Sequence, residues 1–219
     1  MIREEYEKYA DENSDWAPGW EAIDGCLETL YQNQKPCHYG SLMNERAVFG
    51  GDQYLDGFSI YQSANGYKHI VTYGMSELYS NADAFGGEYS KWGYEMTMKL
   101  AADTNDECLW AIDMLSNLAR YTYTKSVFFQ PFEYIAGNGA PIKTDSNSKL
   151  TALIVVQDTE LKEIDTIHGK LDFMQLVGIT QKELEAIKEN PDFCKELVEI
   201  MKKDNPMLIT DLSRKNDYI

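Results

Sequence analysis

The run Leu150-Thr151-Ala152-Leu153-Ile154-Val155-Val156 is apolar on both parities. Side chains of a strand alternate between the two faces of its sheet, so a segment this short and β-branched fits a central strand covered on both faces. Helices must therefore lie over the sheet. A hairpin is legible at Phe58–Gln62 and Tyr67–Tyr73, joined through Asn65-Gly66, a pair that accepts the positive φ angles of a type I′ turn. From Tyr94 to Leu100 the pattern alternates: Tyr94, Met96, Met98 and Leu100 should meet the core, and Glu95, Thr97 and Lys99 a face that is at least partly wet. Leu171, Phe173, Leu176 and Val177 mark another strand, closed by Gly178, and Met207–Thr210 a short last one.

The period changes to 3.6 between Asp106 and Tyr121, where Cys108, Ile112, Leu115 and Ala119 form one stripe. Pro18 opens a helix to about Gln32 with Trp20, Ile23, Leu27, Leu30 and Tyr31 along one face, and Gln34, Lys35 and Pro36 break it. Thr180-Gln181-Lys182-Glu183 is a capping box, and Asn190-Pro191 opens a further helix carrying Phe193, Leu197, Ile200 and Met201 inward. Ile2, Tyr6, Tyr9 and Ala10 stand at helical spacing in an acidic start. With no internal repeat and no low-complexity linker, the expected architecture is a single α/β (α+β) domain. It has a mixed, largely antiparallel sheet flanked by helices. The expected boundaries are an acidic N-terminal segment 1–15, the domain 16–214 and a tail 215–219.

Thirty-six Asp plus Glu stand against 20 Lys plus Arg, a formal net charge of -16. Nucleic-acid binding draws on neutralised phosphates, and anionic lipid likewise attracts basic surfaces, so neither is expected as a partner. A basic protein is the better electrostatic match. No stretch approaches a membrane span and the start lacks the apolar core of a secretory signal, which points to a cytoplasmic protein. Cys26, Cys37, Cys108 and Cys194 are scattered without a CxxC pair, so no zinc knuckle or disulfide framework is suggested.

Candidate chemistry is sparse. Cys37-His38 has the residue types of an activated thiol nucleophile, but neighbours on an extended chain point to opposite faces. His69, inside the hairpin, should pack its ring and satisfy a nitrogen on the backbone or a tyrosine hydroxyl. His168 precedes Gly169 in a turn and forms with Asp165 an incomplete ligand set. Asp103, Asp106 and Glu107 read as a solvated helix start. Gly50-Gly51, Gly86-Gly87 and Gly137-Asn138-Gly139 lack a P-loop lysine and the GxGxxG arrangement after a strand. No cofactor or metal is expected. The 15 tyrosines, a residue enriched at interface hot spots, favour a protein-binding role. The alternative is a small-molecule or metal-dependent enzyme using Cys37 and His38, and a third reading is an adaptor that dimerises through a strand edge.

Several blocks, in order and spacing, resemble the suppressor of fused domain family. They are Leu55-Asp56-Gly57, His69-Ile70-Val71-Thr72-Tyr73-Gly74-Met75-Ser76-Glu77-Leu78-Tyr79, Trp92-Gly93-Tyr94-Glu95-Met96-Thr97, Leu115-Ser116-Asn117-Leu118-Ala119-Arg120-Tyr121, Leu150-Thr151-Ala152-Leu153, Ile164-Asp165-Thr166 with Gly169, Phe173-Met174-Gln175-Leu176-Val177-Gly178, and Leu208-Ile209-Thr210-Asp211-Leu212. The resemblance runs from about Trp20 to Arg214 and matches only the N-terminal domain of the animal form, as bacterial members do. It implies a mixed sheet flanked by helices and a non-enzymatic activity. Animal members grip a short extended peptide of a transcription factor, and bacterial relatives are thought to act as immunity proteins that neutralise toxins. It also implies two partner-binding positions: Tyr121, and Glu133, which stands where animal members have an aspartate. Monomer or weak dimer is the expected state. The chain departs from the pattern at Asp158-Thr159-Glu160-Leu161, where proline usually follows the aspartate, and in a longer polar loop from Asp145 to Lys149.

Overall fold

The computed structural model describes residues 1–32, 34–40 and 54–219; Gly50-Gly51 lies outside them. The hairpin through Asn65-Gly66 forms, though not with the expected type I′ turn. Strand β2 (Gly57–Gln62) pairs antiparallel with β3 (Lys68–Tyr73), with Phe58 opposite Thr72 and Ile60 opposite Ile70. Gly66 has a positive φ of 81° but Asn65 does not, so the loop is longer than a two-residue type I′ turn: the Gly66 amide donates to the Ser63 carbonyl at 3.1 Å and the Ser63 amide to the Tyr67 carbonyl at 2.8 Å. The remaining strands are β1 (Cys37–Gly40), β4 (Tyr89–Leu100), β5 (Tyr134–Ala136), β6 (Leu150–Gln157), β7 (Ile164–Thr166) and β8 (Gly169–Thr180). They join in one sheet of order β1-β2-β3-β4-β8-β6-β5, with β7 also on β8. Among the strands of the described residues only the β4–β8 pair is parallel, so the sheet is mixed and largely antiparallel.

The described residues form five α-helices, of which α1 (Arg3–Glu12) lies outside the apolar clusters, and α2 (Pro18–Leu30), α3 (Leu109–Lys125), α4 (Gln181–Glu189) and α5 (Phe193–Asp204) cover the sheet. On one face Ala111, Leu115 and Ala119 of α3 pack with Ile60, Ile70, Met96, Met98, Leu153, Val155 and Leu176. The opposite face holds two separate apolar clusters. Ile23 and Leu27 of α2 join Tyr61, Val71, Tyr73, Leu171 and Phe173, while Leu184, Ile187, Leu197 and Met201 of α4 and α5 join Ala152, Ile154, Val156, Val177 and Ile179. β6 therefore sends alternate apolar residues into cores on both sides, which is why its sequence shows no polar parity.

Four further expectations need correction. The second parity of β4 is not wet: Glu95, Thr97 and Lys99 are fully buried. They lie in a polar stripe between the two clusters of that face, because partners distant in sequence satisfy them. Asp158, itself buried, accepts from Thr97 Oγ1 at 2.6 Å and Lys99 Nζ at 3.0 Å, and pairs with His69 Nε2 at 3.0 Å. Glu95 accepts from Thr72 Oγ1 at 2.7 Å, Ser76 Oγ at 2.6 Å and the amides of Gly74 and Ser76. Burial raises its pKa, and these donors oppose the shift.

Gly178, in turn, does not close β8, which continues to Thr180. A Cβ there would lie 2.8 Å from Leu150 Cδ1 and 2.9 Å from Thr210 Cγ2, so the glycine serves close approach within the strand. Nor do Met207–Thr210 form a strand. They contribute one parallel bridge, Leu100 to Thr210, since Gln175 Nε2 takes the Met207 and Leu208 carbonyls at 2.9 and 3.0 Å. Asn190-Pro191 leads into a turn, and α5 begins at Phe193 without a side-chain cap.

Candidate partner-binding groove

Helix α3 has one buried stripe, Ala111, Leu115, Ala119 and Thr122, and places Tyr121 on its outer side. It ends at Ser126, which adopts the left-handed region at φ 52°. The chain then runs back over the sheet as 127–133 and enters β5 at the sheet edge. Val127, Phe128, Phe132 and Tyr134 remain exposed along this return. Such a cluster of large apolar side chains in water is unusual for a surface without a partner. Phe132 sits at φ 71°, a costly conformation for a bulky residue. Its amide donates to the Val155 carbonyl at 2.7 Å, and the next amide, of Glu133, donates to the Gln130 carbonyl at 3.2 Å. These bonds to the sheet and the local turn hold the ring outward.

Between α3, the 127–136 segment and the α4–α5 corner lies an open groove of about 730 Å³. Asn117, Leu118 and Tyr121 form one wall, Phe132 to Ala136 the other, and Ile187 with Pro191 the end. Both residues singled out by the resemblance line it. The Tyr121 side chain is 46% exposed and so does not finish the helix against the core. Glu133 is exposed at the start of the β5 wall, and one of its carboxylate oxygens accepts from the Gln130 amide at 2.9 Å. That bond orients the carboxylate and leaves its second oxygen to the groove. Lys195 Nζ lies 5.4 Å from the centre of the Phe132 ring. The floor and walls are thus apolar and aromatic, with one acid at the rim, a composition suited to an apolar segment that carries a donor or a cation.

The other candidates are not assembled into a site. Cys37 is exposed, whereas the neighbouring His38 ring packs against Trp20 and Tyr73 and bonds Ser59 Oγ at 3.1 Å. The two side chains diverge as an extended chain dictates. His69 is buried, with Nδ1 on the Tyr31 hydroxyl at 2.8 Å and Nε2 on Asp158. His168 is buried while Asp165 is exposed in β7. Glu107 caps its own turn by accepting from the Asp103 amide at 2.8 Å. Among the described residues no group of three His, Cys, Asp or Glu could hold a metal ion. Also among them, no helix is long and apolar enough to cross a membrane.

Sequence reasoning did not single out Val127, Phe132 or Tyr134. The signal was present: Val127-Phe128-Phe129 and Phe132 are apolar residues that neither helical nor strand periodicity absorbs.

Comparison with known proteins agrees with this architecture. The family described as suppressor of fused protein (SUFU) matches residues 51–215. The suppressor of fused homolog of Homo sapiens is 26% identical over 212 residues, covering 90% of this chain and 43% of the human protein. The chain thus spans less than half the length of that relative. A chain from the Sufu–Fu complex crystal structure superimposes with a TM-score of 0.78 at 25% identity, over 92% of this chain and 93% of that one. A SUFU homolog from Neisseria gonorrhoeae FA 1090 shares the fold, with a TM-score of 0.64 at 14% identity over 92% of this chain and 97% of the other. With one sheet, covering helices and ordered sequence blocks all in agreement, the chain belongs to the suppressor of fused family.

Proposed function

We propose that the chain is a non-enzymatic protein-binding domain that sequesters a protein partner in the groove between Tyr121 and Glu133. The observation that carries this reading is the convergence of those two residues on one open, aromatic groove of about 730 Å³. The solved Sufu–Fu complex supports it, as a relative's domain of the same fold in a protein assembly. β5 pairs with β6 along one edge, and its other edge borders the groove with no strand on it among the described residues. An extended segment of the partner fits there, contributing main-chain hydrogen bonds to the edge and side chains to the aromatic wall. The charge of -16 favours a basic partner and accelerates its approach. A toxin domain neutralised inside the cell by this chain, acting as an immunity protein, fits those requirements.

The test is co-expression with the toxin-like product of a gene adjacent to this chain's own. Wild-type protein should restore growth and co-purify with that product, whereas Tyr121→Ala with Glu133→Lys should do neither while remaining folded. Protection by the double variant equal to wild type would remove the groove from the account, and failure of the wild type would remove the toxin.

A further inference from the structure

Helix α1 is attached to the molecule in an unusual way. Tyr6 is its one buried side chain; apart from half-buried Ala10, the other residues of the helix are exposed. A helix of 10 residues is marginal in isolation, so α1 depends on whatever Tyr6 enters. Tyr6 enters a cleft with aromatic walls. Its ring lies 5.1 Å from Trp16, 4.8 Å from Phe85 and edge-on to His168 at 5.9 Å. At the bottom, the Asn81 amide donates to the phenolic oxygen at 2.6 Å, and His168 Nε2 lies 2.9 Å from the same atom.

Hydrogen-bond accounting fixes the tautomer. The hydroxyl has a single proton and already accepts from Asn81, so its proton goes to Nε2 and the ring proton sits on Nδ1. Nδ1 is buried and faces the Glu77 backbone without reaching ordinary hydrogen-bond geometry. The ring is thereby set to present Nε2 as an acceptor to a phenol.

Apart from Trp16, which lies in the connection between α1 and α2, the cleft belongs to the body of the protein. Asn81 is held by its Oδ1 on the Asp83 amide at 3.1 Å and by its Nδ2 on Glu77 at 3.1 Å. Gly169, at φ 113°, sets the His168 turn against the chain at Gly87. Any Cβ there would lie 2.5 Å from the Gly87 carbonyl oxygen. Its donor, its acceptor and the Phe85 wall are consequently in place whether or not Tyr6 is present, and only residues 13–17 connect α1 to α2. We propose that this cleft is a tyrosine-binding site whose occupant, Tyr6, is tethered and exchangeable, so that α1 is a strap that lifts as a unit and uncovers it. The tether supplies a high effective concentration, which keeps so small an attachment, Tyr6 in the cleft and the Tyr9 ring 4.8 Å from Trp16, closed most of the time.

Two measurements on the full chain test this. In the wild type, amide hydrogen exchange of α1 should be at least tenfold faster than that of β8 and insensitive to low denaturant, the mark of local opening. Exchange of α1 only together with β8 would show that the helix leaves only on global unfolding, and would overturn the strap. In Tyr6→Ala, p-cresol should bind the vacated cleft and raise the melting temperature, and Tyr6→Ala with His168→Ala should lose that response. Absence of any p-cresol response in Tyr6→Ala, or an equal response in the double variant, would overturn the site. The wild-type exchange experiment stands even if Tyr6→Ala does not fold.

Discussion

Both carboxylate oxygens of Asp158 are engaged, one by His69 and Thr97, the other by Lys99 and the amides of Glu160 and Leu161. Burial alone would raise its pKa, but His69, Lys99 and Thr97 outweigh it and hold the carboxyl well below the usual carboxylate range. A depressed folded-state pKa stabilises above the unfolded value of about 4 and loses that contribution as pH falls through the folded value. Asp158→Ala should cost about 3–5 kcal/mol in urea unfolding, because Lys99 would be left buried without one of its two acid partners, the other being Glu160 at 2.9 Å. Asp158→Asn should also lessen the fall in stability between pH 5 and roughly pH 2. An unchanged acid limb would refute the assignment. None of this stripe was legible locally. Glu95, Thr97 and Lys99 alternate with apolar residues just as solvent-facing positions do, and their partners lie far along the chain. The departure at Thr159 belongs here as well: its amide donates to Gln175 Oε1 at 3.3 Å, a bond that proline could not make.

Elements with local signals were the legible ones. The capping box is present in full, with Glu183 donating its amide to Thr180 Oγ1 at 3.3 Å and accepting from the Thr180 amide at 2.8 Å. Sequence did not reveal that the same carboxylate binds Arg214 through both oxygens, at 2.6 and 2.9 Å, and receives the Tyr218 amide at 2.9 Å. The box thus fastens the chain's last residues onto α4. Thr180→Ala should cost about 1 kcal/mol. Arg214→Ala should release residues 211–218, seen as faster amide exchange there with β6 and β8 unaffected. In α3, whose 3.6 period was plain, Leu115 is fully buried between the helix and the sheet. Leu115→Ala should cost about 2–5 kcal/mol by leaving a cavity. Met207–Thr210 resisted reading because four apolar residues carry no period long enough to distinguish a strand from a packed loop.

For the whole molecule, the groove is apolar and aromatic with one acid at its rim, and the charge of -16 belongs to the chain as a whole. The sheet and helices account for most apolar residues, yet Tyr121, Val127, Phe132 and Tyr134 stay exposed along the groove. Tyr121→Ala with Glu133→Gln should leave unfolding stability within about 0.5 kcal/mol, since neither side chain belongs to the core. Association of a basic partner should weaken as ionic strength rises past the point where the Debye length is about 8 Å. Groove formation itself could not be read from sequence, because it requires α3 and the return segment to meet the α4–α5 corner, which lies about fifty residues further along the chain. The central claim is tested most directly by a photo-crosslinking amino acid placed at Tyr121, at Tyr134 and, as a control on a distant helix, at Glu28, in cells that naturally make the protein. The account predicts one and the same protein joined at 121 and 134, absent at 28 and lost on Glu133→Lys. Equal capture at position 28, or capture at 121 that ignores Glu133→Lys, would contradict it.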